Sequence, residues 1–322
     1  MRVLNAKRSA VVGLLAWFVV LLGTTADSAS TELIHKVVLF GVLVVVPLGL
    51  SLVPPSDRST DWLYNVAVAI QPIAATLTVV SFFLEKGAIG AALASSWLIV
   101  DIIIALYGVS RLISRGSIFP LAESSIDAGL MYLPVAGAWL VVYRLGVQPF
   151  AYGETIILLT AVHFHFAGFA APIIAGMNGR VLALRDYPKQ MFAFSVFAIV
   201  AAMPLVAAGI TLSPVLGLIG TLLLSVGLVS LAVLTIGWVR PAIDHPKRQI
   251  LLIFGALSSC LAMVLASLYA YSLATHTLIL TIPMMAKSHG MLNAFGFVAC
   301  SLIVWSRIAP KELITNKEAQ LL

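Results

Sequence analysis

The 322-residue chain is 61% hydrophobic and only 10% charged, with a formal net charge of +6. A soluble globular domain carries about 25% charged residues, so this composition excludes one that covers its apolar surface in water and points to a polytopic membrane protein. The basic balance invites a nucleic-acid reading, but the Lys and Arg residues fall in short loops between apolar runs, where they act as topology signals.

A membrane-crossing helix needs about 20 apolar residues. In chain order the sequence offers ten such runs, at residues 9–24, 36–53, 63–83, 88–110, 128–146, 155–177, 190–209, 212–238, 249–274 and 284–305. The expected fold class is all-α: a polytopic transmembrane helix bundle of about ten spans, one domain over residues 1–310, with 311–322 as a short cytoplasmic tail. The first run follows Arg2, Lys7 and Arg8. It reads as an uncleaved anchor, with a signal peptide cleaved near Ala26–Ser30 as the alternative.

Loop charges orient the bundle. With the N-terminus inside, all but four of the 19 basic residues lie in inside loops, and Lys36, Lys86, Arg144 and Lys287 lie outside. An even number of spans with both termini cytoplasmic satisfies the positive-inside rule throughout. Pro54-Pro55 closes the second span, Pro188 precedes the seventh, and Pro214 fits the first turn of the eighth. The tryptophans mostly fall in or near span ends, as interfacial anchoring of several of them requires. Cys260 and Cys300 lie in apolar runs without metal-type spacing and read as packing residues.

The sixth run holds the chain's best functional signal, T-A-V-H-F-H-F-A-G-F-A-A-P. Ionisable side chains in hydrocarbon are expensive, and an intramembrane one is a functional-site hypothesis by default. Two residues apart on a helix means roughly 200° around the axis, so His163 and His165 should face different neighbours. Each has small residues nearby that admit close approach. A histidine that only bonds a neighbouring helix is the competing reading.

In the last run, His289, Asn293, Gly296 and Cys300 recur at helical spacing, an imidazole and a carboxamide one turn apart. At least one of the two sixth-run histidines should reach this stripe. Asp101 stands near the centre of the fourth run, where a protonatable carboxyl suits proton coupling. Asp127 and Glu123 read as interfacial helix-start charges, while Glu32, His35 and His276 read as outside-loop residues. No Walker A, Rossmann, G-x-S-x-G or H-E-x-x-H pattern is present, so ATP-driven transport by this chain alone is not indicated and no enzymatic reaction is assigned.

Three stretches carry a resemblance: D-A-G-L-M-Y-L-P-V-A-G-A-W-L from Asp127, T-A-V-H-F-H-F-A-G-F from Thr160 and H-G-M-L-N-A-F-G-F from His289. They look like the YndJ-like family of bacterial membrane proteins, from about the fourth span to the tenth. The resemblance implies a multi-pass protein of the bacterial inner membrane and no particular mechanism. Locally, H-F-H-F is similar to the H-F-H-Y stretch in subunit I of haem-copper oxidases, and H-G-M-L-N loosely to its H-G motif. That likeness implies His165 and His289 as axial haem partners, with His163 as a second metal or haem ligand. The motif order is reversed and the other copper-site histidines lack counterparts, which argues against a complete oxidase.

Three functional classes stay open. The first is a transporter or permease with Asp101, His163, His165, His289 and Asn293 as substrate- or proton-path groups. The second is an intramembrane haem- or transition-metal-binding redox protein using His163, His165 and His289. The third is a structural or sensory membrane protein. The lipid bilayer is the partner all three share; substrate and oligomeric state are not specified.

Overall fold

An apolar segment in hydrocarbon must satisfy its own backbone N–H and C=O groups, and a helix does this within the segment. The computed structural model describes residues 2–23, 29–54 and 61–308. Among them are ten helices long and apolar enough to cross a membrane. They are α1 (Arg2–Gly23), α2 (Ala29–Leu50), α3 (Asp61–Ser81), α4 (Ala88–Arg115), α5 (Leu121–Leu145), α6 (Glu154–Leu182), α7 (Lys189–Leu212), α8 (Pro214–Ala242), α9 (Pro246–Ala274) and α10 (Ile282–Ser306). No strand occurs among the described residues.

Short connections make chain neighbours antiparallel partners: α3 packs on α4, α4 on α5, α7 on α8 and α8 on α9. Gly116 and Gly146 end α4 and α5 in the left-handed region, at φ 65° and 79°, a conformation that costs glycine least. Pro214 opens α8 directly after α7, as its position suggested.

Burial separates the helices into two classes. In α2 and α6, 83% and 72% of the most apolar window is buried, against 28–50% in the others. These two form the centre, and the outer helices expose residues such as Ile113, Phe197 and Ile250 toward the lipid. The first helix is part of this packing: Trp17 Nε1 donates to the Lys36 carbonyl at 2.7 Å, and Lys7 Nζ to the Ser306 carbonyl at 2.6 Å.

Several expectations change. The second span begins at Ala29, so Glu32, His35 and Lys36 are helical residues, and His35 is buried with its Nε2 2.5 Å from the Tyr143 hydroxyl. The fourth, fifth and sixth helices take in Arg111, Arg115, Glu123, Asp127 and Arg180, which hydropathy had left at or beyond the span ends. Trp97 and Trp305 are almost wholly buried and anchor no interface. Both cysteines are free. The tail 311–322 and most of the proposed cleavage region lie outside the described residues.

Candidate functional site

Three of the helices around the histidines depart from α geometry: α2 passes through a π-turn at Gly41–Val45, α6 at Phe164–Ala170, and α10 at Ala286–Gly290 and Leu292–Ala299. Such wide turns are rare and fall frequently at functional sites. Here they decide where each imidazole points.

His163 closes the α-helical part of α6, immediately before its π-turn. Its Nδ1–H donates to the Leu159 carbonyl at 2.7 Å, and the ring is exposed on the surface of the chain. Across from it, His289 Nδ1–H donates to the Ala262 carbonyl of α9 at 2.9 Å. The two rings face each other, centres 6.3 Å apart and planes 26° apart. A carbonyl only accepts, so each Nδ1 carries the proton and each Nε2 keeps a lone pair. Asn293 Nδ2 lies 3.2 Å from the His289 carbonyl and 3.3 Å from both of its ring nitrogens, steadying that ring.

His165 is different. Its Nδ1–H donates to the Ala161 carbonyl at 2.8 Å, and its Nε2 accepts from the indole N–H of Trp97 in α4 at 3.0 Å. The ring is fully buried, and α2 approaches so closely that a Cβ on Gly41 would stand 3.2 Å from His165 Cβ. With both nitrogens engaged, His165 offers no lone pair while these bonds stand. The two histidines do face different neighbours, and one reaches His289. That one is His163, where the oxidase likeness had paired His165 with His289. Among the described residues no three or more His, Cys, Asp or Glu side chains converge on a common point, so His163, His165 and His289 do not form one ligand set.

Asp101 is fully buried one turn beyond Trp97 on α4, and neither carboxyl oxygen has a hydrogen-bond partner. It lies against Gly137 of α5, where any Cβ would collide with Oδ2. It makes no hydrogen bond to any of the three histidines.

A second cluster was not anticipated. At the opposite end of α6 from Glu154, Arg111 donates through Nε to Asp127 and through Nη2 to Glu123, each at 2.6 Å. Arg180 donates to both oxygens of Glu123, at 2.7 and 2.9 Å, and to the Leu52 carbonyl at 3.1 Å. Arg115 Nη1 stands 2.7 Å from Asp127 Oδ2. Three guanidiniums and two carboxylates thus tie α4, α5 and α6 to the end of α2. The sequence does hold the signal: Arg111 and Asp127 stand at equal distances from Phe119, and a short antiparallel helical hairpin brings such positions together.

Ten apolar helices with a polar cluster inside them define a multi-pass cell-membrane protein of the all-α class. The chain matches the model of the YndJ-like protein family over residues 36–297 and belongs to that family. The match begins in α2, well before the fourth span where the sequence resemblance set in. The chain is also 30% identical over 303 residues to the uncharacterized membrane protein YndJ of Bacillus subtilis (strain 168), covering 93% of this chain and 53% of that protein. It therefore spans about half the length of that relative. No solved structure matches.

Proposed function

We propose that the chain is a permease-type membrane protein that takes a transition-metal ion at the His163–His289 pair. One observation carries this reading: two facing imidazoles, each with Nδ1–H tied to a backbone carbonyl and Nε2 left as the basic nitrogen, that of the exposed His163 without a donor among the described residues and that of His289 met only by the Asn293 amide at 3.3 Å. The ring centres stand 6.3 Å apart, and zinc binds a histidine nitrogen at about 2.0–2.1 Å, so both rings turn their Nε2 edges toward a shared ion on binding. Neutral imidazole suits zinc, copper, iron and nickel. A ligating histidine usually donates its other N–H to a carbonyl, and that bond fixes the tautomer. Asn293 is a positioning residue for His289, and Asp101 and His165 stay outside the site in this reading.

Zn2+ titration of the detergent-purified chain, with X-ray absorption at the zinc edge, tests the site. One ion per chain bound through nitrogen is expected, with binding lost in His163→Ala and in His289→Ala and affinity about 10- to 100-fold lower in Asn293→Ala, the positioning residue. A Soret band after expression with ample haem would replace the metal ion by haem; a protein that binds neither sinks the reading. Zn2+ uptake by proteoliposomes above that of empty liposomes separates a permease from a resident metal site.

A further inference from the structure

A small cavity lies between α6, α8, α9 and α10, toward the Arg111 end of the bundle. Its volume is about 10 Å3, room for about one water. Its polar lining comes from Asn178, Thr235, Ser259 and Ser301, one from each helix. Asn178 is 1% exposed, and its Oδ1 has no partner.

Two of the three hydroxyl protons here, those of Thr235 and Ser259, are already committed. Asn178 Nδ2–H donates to Thr235 Oγ1 at 2.7 Å, Thr235 Oγ1–H donates to the Leu231 carbonyl at 2.7 Å, and Ser259 Oγ–H donates to the Ala256 carbonyl at 3.1 Å. What Thr235 and Ser259 turn to the cavity is therefore lone pairs, beside the orphaned Asn178 oxygen. A buried acceptor without a donor is destabilising until something donates to it or coordinates it. Thr235 also opens the π-turn Thr235–Val239, and Phe297, another lining residue, falls in the π-turn Leu292–Ala299. Two rare irregularities thus meet at one oxygen-lined space.

We propose that this cavity binds a sodium-sized monovalent cation. Hard cations take neutral oxygen ligands of this kind. No carboxylate lines the space, so a divalent ion would stay poorly compensated in a low dielectric, whereas a single charge is met by several oxygen dipoles. The proposal does not rest on the reading of His163 and His289, which belong to another part of the bundle.

Thermal unfolding of the full chain in detergent, in NaCl against choline chloride at equal ionic strength, tests it alongside radiolabelled Na+ binding. A saturable, Na+-specific rise in the midpoint is expected, with Na+ affinity reduced about tenfold in Asn178→Ala. Ser301→Ala, a milder change, should weaken Na+ binding severalfold and serves in its place if Asn178→Ala fails to fold. Asn178→Asp, which sets a carboxylate beside the ion, should keep or tighten binding. Equal midpoints in Na+ and choline, or Na+ binding unchanged in the folded variants, overturns the proposal and leaves a cavity for structural water.

Discussion

His163 and His289 stand with ring centres 6.3 Å apart, while His165, only two residues from His163, bonds Trp97 on the far side of α6. The doublet therefore splits into an open imidazole and a core imidazole, and the two should respond oppositely to mutation. His165→Leu leaves the buried Trp97 N–H without an acceptor, a loss of about 1–3 kcal/mol. Its unfolding midpoint should fall while Zn2+ affinity stays within about twofold. His163→Ala removes an exposed ring and should keep most of the stability but lose the metal. Melting curves and Zn2+ titrations on the same preparations decide this. A His165→Leu protein that melts like the parent yet binds no Zn2+ would reverse the two roles.

The Asp101 carboxyl occupies the space that a side chain at position 137 would need. Gly137→Ala should therefore destabilise by about 1–3 kcal/mol, the usual range for overpacking a filled core. The coupling is testable as a cycle. Asp101→Ala removes an unpartnered buried carboxyl, and in the Gly137→Ala background it should restore part of the lost stability, the rest staying with the Leu98 backbone 3.0 Å from the new Cβ. If the two losses simply add, the residues do not compete for the same space.

The ten spans were readable because hydropathy and loop charge report the cost of putting polar groups in lipid, which dominates at that scale. The divergence of His163 and His165 was readable too, since their spacing alone sets opposite faces. The identity of the partner was not. The π-turns at Phe164–Ala170 and Ala286–Gly290 shift the register of both helices, and they leave no trace in apolar periodicity. Glu123 does stand in the first turn of α5, but Asp127 was misplaced for a further reason. A hydropathy window ends a span where charges begin, whereas mutual neutralisation lets Arg111 and Asp127 enter the packed bundle.

Asp127 is fully buried and Arg111 nearly so, and removing one partner of such a pair leaves an uncompensated charge. Arg111→Gln should cost about 3–5 kcal/mol, seen as a lower unfolding midpoint and reduced yield of folded protein. The double change Arg111→Met with Asp127→Leu removes both charges together and should cost clearly less than Arg111→Gln alone. Arg180 then keeps Glu123 in an ion pair, while Arg115 loses Asp127 but stays partly exposed. A double variant as unstable as the sum of its parts would show that hydrogen-bond geometry, rather than charge balance, holds this end together.

The two ends of the bundle also carry different charge, and we propose that this fixes orientation. The end with Arg111, Arg115, Arg180 and Arg240 is rich in arginine, while the end with Lys86 and Glu154 holds a cation and an anion paired to each other. By the positive-inside rule the first end is cytoplasmic, with Glu154 outside. Cys260 and Cys300 first have to be replaced by Ala, since both are free thiols. A single cysteine at Gly153, in the exposed turn before α6, should then react in intact cells with a thiol reagent that cannot cross the membrane. One at Ser117, in the exposed turn before α5, should react only after the cells are opened. The reverse pattern would invert the bundle and put the Arg111 cluster outside, where the charge bias of the loops would have no explanation.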